Sequence, residues 1–72
     1  MGRNIVEPVR EVELWRRMEE VLGTGYVHTW AENTVLANLG SRTVDEALAA
    51  GIDSKRIWRA VWEQLELPPR LR

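Results

Sequence analysis

The chain has 72 residues, and its ten lysines and arginines against eleven aspartates and glutamates give a net charge of −1 at pH 7. A chain of this length builds one small core and buries about 60% of its surface on folding, which leaves little room for an enclosed substrate cavity. It contains no cysteine and one histidine, which excludes disulfides, thiolate chemistry and any site that needs two imidazoles.

The hydrophobic content of 44% and the charged content of 29% are typical of a globular protein. Charges interrupt every apolar segment, so the sequence predicts no transmembrane span. The N-terminal residues also lack the apolar stretch of a signal peptide. We therefore expect a cytoplasmic protein with a flexible leader over residues 1–8, a single helical domain over residues 9–69 and a basic tail over residues 70–72.

The first helix is predicted from Val9 to Leu22, where apolar side chains recur with a helical period. The opposite face carries charges at i,i+4 spacing, which pairs Glu13 with Arg17 and Arg16 with Glu20. The apolar members share an arc of ~120°; they are Leu14, Trp15, Met18, Val21 and Leu22.

A second helix is predicted after a turn at residues 23–25. It runs from Tyr26 to Leu39 and ends at Gly40, a residue that favours a helix C-terminus. Its apolar members are expected to face the core; they are Tyr26, Val27, Trp30, Ala31, Val35, Leu36 and Leu39.

A capping box predicts the start of the third helix. Thr43 and Glu46 have the spacing that lets each side chain bond the other residue's backbone N–H. The helix is predicted from Val44 to Ala50, with Gly51 ending it and Ile52 buried in the turn. Its inward-facing residues are Val44, Ala47 and Leu48.

The fourth helix is predicted from Ser54 to Glu66, with Asp53 as its N-cap and the prolines at 68 and 69 ending it. Its apolar arc comprises Ile57, Trp58, Val61, Trp62 and Leu65, and its polar face comprises Lys55, Arg56, Arg59, Glu63 and Glu66. No alternating strand pattern occurs. The sequence thus predicts an all-α fold, a compact bundle of three to four short helices whose last two form a helix-turn-helix-like arrangement.

The sequence offers few residues suited to catalysis or to binding a metal or a phosphate. His28 is the only imidazole and is interpreted as a surface or helix-start histidine, far in sequence from Ser41 and Ser54. No group of metal ligands converges, and the Gly23–Gly25 segment lacks the pattern of a phosphate-binding loop. We therefore expect no enzyme, no catalytic residue, no metal and no cofactor.

The sequence contains four tryptophans and no phenylalanine. Because one indole buries ~200 Å² or more, Trp15, Trp30 and Trp58 are interpreted as core residues. Trp62 lies at the edge of its apolar arc and is predicted to be partly exposed. An exposed tryptophan beside arginines is typical of a binding hot spot.

Residues 43–62 also fit a helix-turn-helix, in which the last helix would present its basic side chains to DNA. Residues 55–72 contain five basic and two acidic residues. Against this interpretation, the whole chain is slightly acidic, and Glu63 and Glu66 share the polar face. Trp58 and Trp62 would also turn toward the groove.

Short motifs follow one another along the chain: Leu14-Trp15-Arg16-Arg17-Met18, Gly25-Tyr26, Thr29-Trp30-Ala31-Glu32, Val35-Leu36, Leu39-Gly40, Arg42-Thr43-Val44, Glu46-Ala47-Leu48, Gly51 and Ile57-Trp58-Arg59-Ala60-Val61. With them the chain resembles, over residues 9–69, a family of short actinobacterial proteins catalogued as a domain of unknown function. The resemblance implies a small cytoplasmic all-helical protein and brings no established activity, catalytic residue or cofactor. It also implies genes often placed beside a recombinase and its regulator, which adds slightly to the nucleic-acid hypothesis.

The sequence favours a non-enzymatic interaction module that binds a partner protein through the polar face of the last helix. The alternative is a helix-turn-helix-like nucleic-acid-binding protein that uses the same basic residues. We expect neither a membrane nor a small-molecule substrate as partner. The contact residues predicted for either function are Lys55, Arg56, Arg59, Trp62 and Arg70.

Overall fold

The computed structural model describes residues 11–72. The predicted leader and the predicted helix start at Val9 lie outside these residues. Within them the chain forms four α-helices and two 3₁₀ turns. The helices are α1 (Glu11–Leu22), α2 (Val27–Asn33), α3 (Val44–Ala49) and α4 (Ser54–Gln64), and the 3₁₀ turns are Ala37–Leu39 and Pro69–Leu71. This part of the chain has a single antiparallel bridge in place of a sheet, so the predicted all-α bundle is confirmed.

The core lies where the helices meet. α1 packs on α2 and α4, and α3 packs on the same two helices. Every helix contributes a fully buried side chain, and each such aliphatic group stabilises the fold by about 1.5–3 kcal/mol. The buried apolar residues are Leu14, Met18, Val27, Trp30, Ala31, Leu36, Leu39, Val44, Ala47, Ile57, Trp58, Ala60 and Val61.

None of the helices in residues 11–72 combines the length and the apolar character needed to cross a membrane.

Trp30 and Trp58 are buried as predicted, whereas Trp15 is only half-buried. Tyr26 and Val35, predicted to face the core, are 52% and 53% exposed.

The second helix is shorter than predicted. α2 ends at Asn33, and the chain then runs extended to Leu36, which pairs with Arg42. The Asn33 amide donates to the Thr29 carbonyl at 2.9 Å, a local bond that competes with helix continuation. Leu36 and Leu39 are nevertheless both buried. An extended residue and a 3₁₀ turn therefore bury the same apolar side chains whose spacing predicted a helix.

The capping box of α3 is present as predicted. The Glu46 N–H donates to Thr43 Oγ1 at 3.1 Å, and the Thr43 N–H donates to Glu46 Oε1 at 3.0 Å. These two bonds satisfy backbone donors that would otherwise lack partners at the helix start.

The predicted stop at Gly51 is also confirmed. Gly51 has a φ of +80° and donates its N–H to the Leu48 carbonyl, and the Ile52 N–H donates to the Ala47 carbonyl, both at 3.0 Å. This is a Schellman motif, in which a left-handed residue closes the helix. The motif fixes the short connection between α3 and α4, in which Ile52 is half-buried.

α4 begins at Ser54 as predicted, but its N-cap bond and its C-terminal end differ from the prediction. Asp53 occupies the N-cap position, but its side chain makes no capping hydrogen bond. At the other end the helix stops two residues before Glu66, because Glu66 itself adopts a left-handed φ of +54°. The Leu67 N–H then donates to the Trp62 carbonyl at 3.1 Å, which turns the chain back before the prolines are reached.

Candidate functional site

Three basic side chains stand together near the start of α4. Lys55, Arg56 and Arg59 are exposed and, with Asp53, line a surface depression of about 270 Å³. We call these three residues the α4 basic patch. The ion pairs of residues 11–72 involve only arginines of α1, so the patch has no ion-pair partner in this part of the chain.

The helical period explains why the patch faces outward. Ile57, Trp58 and Val61 on the same helix are buried against the core. At about 100° per residue, Lys55 and Arg59 lie one turn apart on the opposite side. The core packing of α4 therefore holds the cations on the surface.

The helix dipole does not favour these cations. α1 and α3 carry acidic residues in their first turns, whereas the first turn of α4 contains no acidic residue and carries Lys55 and Arg56. A cation near a helix N-terminus is repelled by the dipole, at a cost of about 0.3–1 kcal/mol. The dipole of α4 therefore does not stabilise Lys55 and Arg56 at this position.

Trp62 is half-buried, which confirms its predicted partial exposure. Two groups of the C-terminal segment contact its ring. Its indole Nε1 donates to the Pro68 carbonyl at 2.9 Å, and the Arg72 guanidinium lies 5.1 Å from the ring centroid. A partner approaching this end of α4 would meet an arginine stacked on an indole.

Arg70, the last predicted contact residue, is exposed but does not line the depression beside Asp53. It lines a separate cleft of about 200 Å³ between α1 and the C-terminal segment, with Arg16, Arg17 and Arg72. We call this the arginine cleft. The structure thus brings Lys55, Arg56 and Arg59 together and places Arg70 at a second basic surface.

Carboxylates of α1 hold two arginines of this cleft. Arg17 Nε donates to Glu13 at 3.0 Å, and Arg16 bonds both Glu13 and Glu20. The predicted pairs Glu13–Arg17 and Arg16–Glu20 are therefore confirmed. Hydrogen bonds from Arg16 and then Arg17 lower the pKa of Glu13 to about 2.

The C-terminal segment forms the other wall of the cleft. Trp58 Nε1 donates to the Leu71 carbonyl at 3.0 Å, and the Arg17 guanidinium lies 5.7 Å from the centroid of the same indole. Sequence reasoning placed Arg16 and Arg17 only in exposed helix pairs. The tail has no periodic pattern, so nothing in the sequence indicated that it folds back beside α1.

His28 is exposed near the start of α2, as predicted, and its ring lies 4.9 Å from that of Trp15 between centroids. Among residues 11–72 no group of three or more histidine, aspartate and glutamate side chains is placed to hold a metal ion.

Comparison with known proteins identifies the family of the chain. No curated protein and no solved structure matches the chain. A family model described as "Protein of unknown function (DUF3046)" matches residues 9–70, which confirms the resemblance to a domain of unknown function. Because this match spans most of the 72 residues, the chain belongs to the DUF3046 family.

Proposed function

We propose that the protein is a cytoplasmic, non-enzymatic interaction module that binds an acidic surface of a partner protein through the α4 basic patch. The observation that carries this proposal is the patch itself. Lys55, Arg56 and Arg59 are exposed beside one depression and lack an ion-pair partner among residues 11–72. Carboxylates on a partner would supply the missing counter-charges.

The position of the patch supports a role in binding. Lys55 and Arg56 stand in the first turn of α4, where the helix dipole disfavours cations. An acidic partner relieves this repulsion and gains charge-assisted hydrogen bonds to the guanidinium groups. Relief of the repulsion and the new hydrogen bonds therefore both contribute to the free energy of binding, and neither is available to the unbound protein.

Carboxylates around the patch favour a protein over a nucleic acid. Asp53 lines the same depression, and Glu63, farther along α4, accepts a hydrogen bond from the Asn38 amide. The carboxylates of Asp53 and Glu63 would repel a phosphate backbone, which carries charge along its whole length. A protein surface can instead place its own basic residues opposite Asp53 and Glu63.

The stacked pair of Trp62 and Arg72 gives the surface a second binding feature. The guanidinium lies 5.1 Å from the ring centroid, and tryptophan and arginine are the residue types that dominate interface energetics. This pair extends the contact surface toward the C-terminal end of α4.

Quantitative affinity capture with matched variants tests the proposal. The double variant R56Q/R59Q removes two charges from the patch, and the control T29E/A37E lowers the net charge equally at exposed positions of other elements. We expect the wild type and the control to retain the same protein from nuclease-treated extract of the native cell. We expect R56Q/R59Q to lose that protein at least tenfold.

Equal capture by all three proteins would contradict the proposal, and so would capture that nuclease treatment abolishes. Both variants change exposed side chains, so their circular dichroism should match the wild type. A folded R56Q/R59Q variant keeps the comparison valid.

The alternative function is a helix-turn-helix-like nucleic-acid-binding protein. Two observations favour it: α3 and α4 are joined by only residues 50–53, and the basic residues lie at the start of the second helix. In that motif the N-terminal part of the second helix reaches the base edges. Lys55, Arg56 and Arg59 would then contact bases and phosphates.

A fluorescence-anisotropy titration with generic duplex DNA and with RNA, at low and at physiological salt, tests this alternative. If the patch neutralises three phosphates, the affinity should fall with salt at a logarithmic slope of about −2.7. The same slope should shrink in R56Q/R59Q. Absence of binding at micromolar protein and low salt would remove the alternative.

A further inference from the structure

We propose that the arginine cleft binds a phosphate monoester. This cleft lies between α1 and the C-terminal segment and is separate from the depression of the α4 basic patch. The inference does not depend on the proposed function, because the cleft includes none of the three residues of the α4 basic patch and takes another ligand. It rests on the number, the fixation and the charge of the guanidinium groups around one small cavity.

Two of the guanidinium groups are fixed in place before any ligand binds. Arg16 is held by Glu13 and Glu20 on its own helix. Arg17 is held by Glu13 and by stacking over Trp58, with its guanidinium 5.7 Å from the ring centroid. Fixed donors lose little conformational entropy when an anion arrives, which favours binding.

The fixed arginines still have donors for a ligand. A guanidinium carries five N–H groups, and Arg16 uses Nε, Nη1 and Nη2 once each toward Glu13 and Glu20. Arg17 uses Nε toward Glu13 and Nη1 toward the Arg72 carbonyl, the latter at 3.4 Å. Each therefore retains at least two N–H groups outside the hydrogen bonds of residues 11–72.

The local charge favours an anion. Arg16, Arg17 and Arg70 line the cleft together with Glu20, and Glu13 contacts Arg16 and Arg17. These three guanidinium groups outnumber the two carboxylates, whereas the guanidinium of Arg72, a further lining residue, lies over Trp62. A phosphate monoester carries about −1.5 to −2 at pH 7, so it gains more from this excess than a carboxylate or a phosphate diester, which carries −1.

The remaining lining indicates what the phosphate is attached to. Val21, Trp58 and Leu71 contribute to the walls beside the arginines. The volume of about 200 Å³ exceeds what one phosphate group fills. The cleft therefore fits a phosphate carried by a small apolar or aromatic group.

A purely structural role does not account for all four arginines. Arg17 bonds the Arg72 carbonyl and so helps to hold the C-terminal segment. Arg70 lies in that segment, is exposed, and forms no ion pair within residues 11–72. Replacing Arg70 should therefore weaken ligand binding without disturbing the fold.

An NMR titration of the ¹⁵N-labelled full chain with phenyl phosphate tests the proposal. We expect saturable shifts of the Trp58 indole N–H and the Arg70 amide, and none of the Arg59 amide. R70Q should weaken binding about tenfold, the loss expected for one charge-assisted contact. The matched control R59Q, on the α4 basic patch, should leave the affinity unchanged.

Two further probes define the ligand. Tighter binding of phenyl phosphate than of inorganic phosphate would support an organic monoester. Inorganic phosphate that binds as tightly as phenyl phosphate would overturn the monoester assignment. Equal binding of the monoanion diphenyl phosphate, equal affinity of R70Q, or equal shifts at Arg59 would overturn it.

Discussion

Trp58 and Trp62 each donate the indole N–H to a backbone carbonyl of the C-terminal segment. Trp58 bonds Leu71 and Trp62 bonds Pro68, at 3.0 and 2.9 Å. The two rings therefore join α4 to the segment that carries Arg70 and Arg72. An indole can do this because it combines a large apolar body with a single polar donor.

Replacing Trp58 by alanine should lower the free energy of unfolding by ~3–5 kcal/mol, since the ring is 3% exposed. That loss is comparable to the whole stability of about 4–11 kcal/mol expected for a domain of this size. Chemical denaturation followed by circular dichroism measures it. The variant should unfold at a much lower denaturant concentration than the wild type.

The milder variant Trp58→Phe separates packing from hydrogen bonding. It keeps an aromatic ring and removes the donor to Leu71, so it should remain folded, with a hydrogen-bond loss of about 1 kcal/mol plus a smaller packing loss. A Trp58→Ala protein as stable as the wild type would show that the ring is not part of the core.

Glu13 makes the stability of α1 dependent on pH. Its pKa is lowered from 4.5 to about 2 by the hydrogen bonds from Arg16 and Arg17. A carboxylate whose folded pKa is depressed stabilises the protein above its unfolded pKa, and this contribution is lost as the pH falls from about 4.5 to about 2. The wild type should therefore lose stability in that window.

Thermal unfolding at several pH values tests this dependence with two matched variants. Glu13→Gln removes the ion pairs, so its deficit relative to the wild type should be largest near pH 7 and vanish toward pH 2. Glu32→Gln, at an exposed position without an ion-pair partner in residues 11–72, is the control. A Glu13→Gln deficit that stays constant from pH 7 to pH 2 would contradict the assignment.

At the scale of elements, α3 and α4 start in different ways. Thr43 completes a capping box, whereas Asp53 at the start of α4 makes no capping bond. Thr43→Ala should therefore destabilise the protein by about 1 kcal/mol. Asp53→Ala should have a clearly smaller effect, and equal losses in urea denaturation would show that Asp53 caps α4 in solution.

Signals confined to a few neighbouring residues allowed part of the fold to be predicted. The capping box at Thr43 and the stop at Gly51 depend on local bonds, and both occur as predicted. The end of α2 was predicted wrongly because Leu36 and Leu39 are buried from an extended residue and a 3₁₀ turn. Side-chain spacing alone does not distinguish these backbones from a continuous helix.

The candidate site was predictable to the same local extent. Lys55, Arg56 and Arg59 lie within about one turn of one helix, so the helical period alone grouped them. The arginine cleft joins Arg17 to Arg72 across 55 positions of the chain. No local pattern encodes that contact, because it depends on how the C-terminal segment returns to α1.

At the scale of the whole molecule, acidic and basic side chains are unevenly distributed along the chain. Residues 11–52 carry seven acidic and three basic side chains, whereas residues 53–72 carry three acidic and five basic ones. A net charge of −1 therefore conceals a basic C-terminal part, which contains the α4 basic patch and one wall of the arginine cleft. Such asymmetry orients a protein toward a charged partner during encounter.

The central claim is that the α4 basic patch contacts a partner protein. Photo-cross-linking in the native cell tests it most directly, with a diazirine-bearing lysine analogue at position 55 and, as control, at exposed Thr29 on α2. We predict a discrete protein adduct from position 55 that is absent from position 29. A nucleic-acid adduct at position 55, or the same adducts from both positions, would contradict the account.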